Sequence, residues 1–257
     1  ATDVTGVGTA RAKLAATQYG GDKGIFGFGH DGSNYVSMTN LVSNAGVVAT
    51  DVTGVGTGRE YVAACGYGGD KGIFGFGTTG SVTGVTNLVS NAGVVATDVT
   101  GVGTARFAPA ACGYGYDKGI FGYGYASGYV SLTNLVSSSG VVATDVTGVG
   151  TARAYQEACG YGEDKGIFGF GHDGSNFVSM TNLVSNAGVV ATDVTGVGTA
   201  RSSLAACGYG EDKGIFGFGY TGSVVGMTNL ISNAGVVATD VSAVGTARTA
   251  PAACSFN

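Results

Sequence analysis

A heptapeptide, Lys-Gly-Ile-Phe-Gly-Phe/Tyr-Gly, begins at Lys23, Lys71, Lys118, Lys165 and Lys213, in steps of 48, 47, 47 and 48 residues. Ala-Thr-Asp-Val begins at Ala1, Ala49, Ala96, Ala143, Ala191 and Ala238 with the same period. A fixed period of this length marks one supersecondary unit, copied and stacked so that each copy buries its neighbour's apolar face. Residues shared by all copies are needed to build that unit. Function is therefore sought where the copies differ.

One unit, residues 59–106, reads as four short strands. Small and apolar residues from Arg59 to Gly68 form the first, and Gly-Gly-Asp-Lys has the chemistry of a hairpin turn. The heptapeptide from Lys71 forms the second. Its alternation predicts Phe74 and Phe76 on one face, with Ile73, Gly75 and Gly77 on the other. Glycine beside aromatic rings suits a neighbouring sheet that packs very close. A variable loop leads to Val-Thr-Asn-Leu-Val-Ser, Asn-Ala-Gly turns the chain, and a β-branched stretch from Val94 forms the fourth strand. Helical period is absent. Four strands per unit predict an all-β, β-propeller fold of four-stranded antiparallel blades, with a β-solenoid or fibrous repeat as the alternative. The expected repeats are 11–58, 59–105, 106–152, 153–200 and 201–247 of a single domain 1–257, with terminal strand segments 1–10 and 248–257. This division leaves one surplus outer strand at the start and one surplus inner strand at the end.

Charge narrows the function classes. Charged residues are 11% of the chain, against roughly a quarter in an ordinary domain. The net charge of -5 excludes the basic stripe that nucleic acid requires and opposes an anionic membrane surface. No apolar run reaches the ~18 residues of a membrane helix. No signal peptide is visible and the first residue is not Met, so a processed chain or an excerpt is expected. Each Arg (11, 59, 106, 153, 201, 248) follows an ATDV Asp by eight residues, which predicts ion pairs holding an outer strand to the next inner one. Cys65, Cys112, Cys159, Cys207 and Cys254 occupy one repeat position, held by Thr17 in the first copy. Symmetry mates of this kind are expected to be free, buried thiols, because disulfide partners must bring their Cα atoms within about 7 Å. No His or second Cys stands at metal-ligand spacing.

An Arg followed by small residues, a turn, an apolar strand ending in glycine, a variable loop and two further strands resembles the Kelch repeat of β-propellers. The doublet glycine of that family is single here (Gly29, Gly77, Gly124, Gly171, Gly219), and the family's Trp is missing. Repeat number and size are also similar to the five-bladed tachylectin lectins. The wording TNLVSNAGVVATDVTGVGTAR…YGGDKGIFGFG resembles repeats in predicted proteins of uncultured aquatic bacteriophages. These resemblances imply a binding or adhesion module on a virion or in an extracellular setting.

Two stretches vary between copies, one after the repeat Arg and one after the heptapeptide. In an up-and-down sheet both lie at the same edge, opposite the constant YGxDKG and SNAG turns. Loops on a rigid scaffold are where binding residues gather. The candidates are His30, Asp31, Asn34, Tyr35, Tyr61, Tyr125, Tyr129, Tyr155, His172, Asp173, Asn176, Phe177 and Tyr220. Rings beside Asp, Asn and His suit stacking on a sugar or peptide with polar edges to meet hydroxyls. Simple loop drift is the opposing reading. The two HDGSN loops have too few oxygen ligands for calcium and read as Asp-Gly turns. No nucleophile stands with a base, and the GxG stretches lack a βαβ setting. The expectation is a non-enzymatic module without cofactor or metal that recognises a cell-surface glycan or protein. A multivalent lectin and a structural protein of virion or self-assembly are the alternatives.

Overall fold

The computed structural model describes residues 5–242 and 245–255. Among them there is no helix, and fifteen strands form five separate antiparallel sheets. The first sheet contains β1 (Ala15–Tyr19), β2 (Lys23–Gly27) and β3 (Thr39–Val42). The second contains β4 (Ala63–Tyr67), β5 (Lys71–Gly75) and β6 (Thr86–Val89), and the third β7 (Ala110–Tyr114), β8 (Lys118–Gly122) and β9 (Thr133–Val136). The fourth contains β10 (Glu157–Tyr161), β11 (Lys165–Gly169) and β12 (Thr181–Val184), and the fifth β13 (Ala205–Tyr209), β14 (Lys213–Tyr220) and β15 (Val224–Ile231). Register repeats as well: Cys65 faces Ile73 and Ala64 faces Phe74, and the same pairs recur in the third, fourth and fifth sheets.

The sheets are three-stranded where four strands were expected. The β-branched fourth segment touches the third strand at only two bridges per unit, Val42–Val48 and Thr39–Val52 in the first. The two bridges are out of step by one residue, the mark of a bulge. An asparagine side chain fills the gap. Asn40 Nδ2 donates to Ala49 O (3.1 Å) and to Asp51 Oδ1 (2.8 Å), so a side chain replaces the backbone ladder there. In the two terminal segments, the described residues 5–10 and 248–255 form no strand. Residues 1–4, 256 and 257 of those segments lie outside the described residues, and 251–255 carry no ladder.

Successive sheets pack through an offset aromatic interlock. Phe74, Phe121, Phe168 and Phe216 each lie over a glycine of the preceding sheet (Gly27, Gly75, Gly122, Gly169), where a Cβ would fall 2.7–2.8 Å from the ring. Glycine is thus required by close approach at these sites. Each buried ring contributes roughly 1.5–3 kcal/mol. Phe76 does not share a face with Phe74, contrary to the alternation. Its φ of 64° is left-handed, which turns the ring toward the following sheet, 5.2 Å from Phe121. The backbone therefore ends the strand at Gly75 and splits the two rings between neighbours.

The repeat arginines lock this interlock from the edge. Arg106 is fully buried, with its guanidinium 4.0 Å from the ring of Phe76 in the preceding sheet. It donates to Tyr123 O (2.6 Å), Thr104 O (3.0 Å) and Asn134 Oδ1 (2.7 Å). Its acidic neighbour is Asp145, at 4.0 Å, not Asp98, eight residues earlier. Asp98 faces Arg59 instead. Arg11, Arg59, Arg106, Arg153 and Arg201 thus each pair with the Asp of the following ATDV copy, because both belong to the same repeat unit. Burial pulls the Arg106 guanidinium down to about 10, still charged at neutral pH. The Asp-Lys turns are different. Lys23 and Asp22 are 2.6 Å apart with both half-exposed, so water screens the pair and it adds little to stability. All five cysteines are free thiols.

The first strands of the five sheets, together with 253–255, line one cavity of about 250 Å³. A smaller cavity adjoins it through shared alanines such as Ala64 and Ala158, and a third shares Leu14, Val62 and Glu157 with that one and reaches the post-Arg residues Lys13, Tyr61 and Tyr155.

Candidate functional site

The two variable stretches meet because the residue after each Arg pairs with the first loop residue. Ala12 bridges His30, Glu60 bridges Thr78, Phe107 bridges Tyr125, Ala154 bridges His172 and Ser202 bridges Tyr220. The next post-Arg residue is left-handed in all six copies: Lys13, Tyr61, Ala108, Tyr155, Ser203 and Ala250 have φ between 50° and 58°. Non-glycine residues rarely hold this conformation without support. Support comes from a relay of backbone hydrogen bonds. Tyr61 N donates to Lys13 O, Ala108 N to Tyr61 O, Tyr155 N to Ala108 O, Ser203 N to Tyr155 O and Ala250 N to Ser203 O, at 2.8–3.2 Å.

This frame sets eight rings in one continuous arc. Tyr155 meets Tyr61 at 5.4 Å, Tyr61 meets Phe107 at 5.7 Å, and Phe107 meets Tyr125 at 5.3 Å. Tyr125 meets Tyr129 at 5.1 Å and Tyr129 meets His172 at 5.9 Å. His172 then meets Phe177 at 5.3 Å and Phe177 meets Tyr220 at 5.9 Å. Most contacts are edge-to-face, the arrangement ring quadrupoles favour. The rings are half-buried and Tyr220 is exposed. Tyr129 and His172 also meet through their polar ends, Oη to Nδ1 at 3.2 Å. Burial pushes the Tyr155 phenol up to about 12 and raises that of Tyr129, so both are neutral hydroxyls at physiological pH.

The arc takes in Tyr61, Tyr125, Tyr129, Tyr155, His172, Phe177 and Tyr220. His30 and Tyr35 form a separate pair at 5.3 Å in the first copy. Asp31 and Asp173 are occupied in their own loops: each accepts from two backbone N–H groups, at 2.7 and 2.8 Å. Those bonds hold both carboxyls below the usual range. His30 and His172 accept from Gly32 N and Gly174 N at 3.0 Å. Asn34 and Asn176 lie exposed at the loop tips. Sequence reasoning missed Phe107, which joins the two halves of the arc. It also missed Lys13, 4.7 Å from the centre of the Tyr61 ring and paired with Glu60 at 2.9 Å. Both sit in the variable post-Arg stretch, and that variability was the available signal.

Among the described residues, no three His, Cys, Asp or Glu side chains converge as metal ligands. None of the described elements is a helix long and apolar enough to cross a membrane. No protein-family model matches the chain, and no curated protein matches it.

Proposed function

We propose that the chain is a non-enzymatic binding module: a closed β-propeller whose variable face attaches to a glycan or protein on a cell surface, as a virion or tail-associated part of a bacteriophage. The observation that carries this reading is the aromatic arc. It is built from the variable stretches alone and crosses four repeats, as a surface that stacks on an extended ligand requires. Ring closure is supported by the common cavity, to which five first strands and 253–255 all contribute. The bridged fourth segment supplies the outer edge of each blade. Phage origin rests on the wording of the repeats. Single stacking contacts are weak, so attachment gains from several blades or copies acting together.

The test is retention on an array of bacterial surface polysaccharides and envelope proteins. Tyr125→Ala with Tyr129→Ala is expected to weaken retention by about tenfold or more, since two stacking rings contribute about 1 kcal/mol or more each. Tyr116→Ala, on a constant turn, should leave it unchanged. Equal retention by all three proteins would sink the proposal. A structural role is favoured by one observation: Val47, Val94, Val141, Val189 and Val236 repeat as exposed side chains along the outer segments. Sedimentation as large assemblies that dissociate when these valines become serine would establish that second reading.

A further inference from the structure

The fourth unit places two polar residues where every other copy is apolar. Gln156 stands at the position of Leu14, Val62, Pro109, Leu204 and Pro251, and Glu157 at that of Ala15, Ala63, Ala110, Ala205 and Ala252. Both line one cavity of about 40 Å³, together with Tyr61 and Tyr155. A single water needs roughly 10–15 Å³, so this space admits a small polar head group and no sugar ring. Glu157 also borders the adjoining cavity, where the rest of the lining is leucine, valine, alanine and proline.

Both residues offer acceptors that lack a donor. Gln156 is 1% exposed; its Nε2 donates to Gly122 O (3.1 Å), and its Oε1 has no partner among the described residues. No side-chain donor or cation among the described residues partners the Glu157 carboxyl, and the Ala158 N–H lies near it. An acceptor left unpaired in an apolar lining costs free energy until a donor arrives. The second unit shows which donor suits this wall. There Lys13 Nζ, from the preceding unit, lies 4.7 Å from the centre of the Tyr61 ring and 2.9 Å from Glu60 Oε2. Tyr61 N donates to Lys13 O, and in the fourth unit Tyr155 N donates to Ala108 O. Tyr155 is thus the counterpart of Tyr61, and Ala108 that of Lys13. The fourth unit keeps a ring and a carboxyl, but a methyl group borders the cavity where the second unit supplies an ammonium.

We infer that this cavity binds a primary alkylammonium group on an unbranched chain, with Glu157 as counter-ion and Gln156 as a second acceptor. The narrow apolar lining admits a straight alkyl chain, and an ammonium carries donors for both acceptors. Tyr155 adds a ring wall that favours a cation. A free amine and the lysine side chain of a partner share this chemistry. The site adjoins the aromatic arc through Tyr61 and Tyr155, but it does not depend on the attachment reading proposed above.

Binding should strengthen with pH. Desolvation raises the Glu157 carboxyl to about 8, and it must release its proton before it can pair with an ammonium, so affinity grows as pH rises through 8. The other titratable groups around it are Lys13, Tyr61 and Tyr155 in the cavity and Cys159 two residues along its strand. Burial pushes Tyr155 up to about 12 and raises the Cys159 thiol, and Lys13 is raised, against its own desolvation, by the bond to Glu60. These three shifts lead away from neutral pH. Lys165 and Lys213 of the packed strands lie at the far ends of their hairpins, each held by its own Asp.

The test is the melting temperature of the whole chain in n-butylammonium chloride, against tetramethylammonium chloride at the same concentration. The primary amine should raise it by roughly 2 °C or more at pH 9 and leave it unchanged at pH 5. Tetramethylammonium, broader and without an N–H, should not raise it at either pH. Glu157→Gln should abolish the difference between the salts. Ala108→Lys, which supplies the ammonium from within as Lys13 does, should abolish it too. A capped Gly-Lys-Gly peptide that reproduces the shift identifies a lysine side chain as the occupant, and a shift with butylammonium alone identifies a free amine. Equal shifts in the two salts, a shift that survives Glu157→Gln, or no shift at pH 9 overturns the inference. Retention on the array is scored separately, so either reading can fail while the other stands.

Discussion

Arg106→Ala should lower the melting temperature by about 10 °C. The side chain is fully buried and donates three hydrogen bonds, to two carbonyls and the Asn134 amide. Alanine leaves those acceptors without a donor in a dry interior, and breaking such a buried cluster costs about 3–5 kcal/mol. In a chain of this size 1 kcal/mol shifts the midpoint by roughly 2–4 °C. Stacking on Phe76 is lost too, which loosens the contact with the preceding sheet. Asn134→Ala acts on the same cluster, so the double variant should cost less than the sum of the singles. Lys118→Ala, whose partner Asp117 is half-exposed, should change stability by about 0.5 kcal/mol or less. Calorimetry on the four proteins decides this. An Arg106 variant as stable as the Lys118 variant would show that the arginines do not hold the sheets together.

The second large effect is a pH dependence introduced by one residue. Glu157 stands where the other copies carry alanine, at Ala15, Ala63, Ala110 and Ala205. It lines the cavity among alanines and prolines, and desolvation there raises its carboxyl from an ordinary value near 4.5 to about 8. A carboxyl with a raised folded-state pKa holds its proton more tightly in the folded chain. Its stabilising effect is complete below about pH 4.5 and is lost as pH rises through 8. Each tenfold gain in proton affinity corresponds to ~1.4 kcal/mol. Glu157 is only half-buried, so solvent screens part of it, and a fall of about 2 kcal/mol between pH 5 and pH 9 is expected. Glu157→Gln should remove this fall, and Glu157→Ala should make the chain more stable than the parent at pH 9. Denaturant unfolding of the three proteins across that range is the check. Parallel profiles would mean that Glu157 titrates normally and is open to solvent.

Much of this was legible in the chain. The period gave the number of units, and the Gly-x-Asp-Lys turn marked the first hairpin of each. Glycines beside aromatic residues announced the close packing that the phenylalanines then fill. Other features were hidden for physical reasons. Nothing in a strand-like heptapeptide reveals that Phe76 is left-handed, since the alternation holds up to Gly75 and only tertiary contacts reverse it. An eight-residue Asp–Arg spacing that recurs in every copy cannot say which copy's Asp meets which Arg. The fourth strand read as a strand from its β-branched residues, but Asn40 and its counterparts take over part of its hydrogen bonding. At the candidate site, the two variable stretches could be read from the sequence. The rings they bring into contact depend on the bridge between Phe107 and Tyr125 and its equivalents, which pair residues distant in sequence.

The most direct measurement is a chemical footprint of the thirteen tyrosines, with and without the polysaccharide or envelope protein that the array retains. Tyr61, Tyr125, Tyr129, Tyr155 and Tyr220 should become protected together. Tyr116, on a constant turn and 73% exposed, should react equally in both states. Protection of Tyr116 with an unchanged arc would contradict the account and move the binding surface to the constant turns.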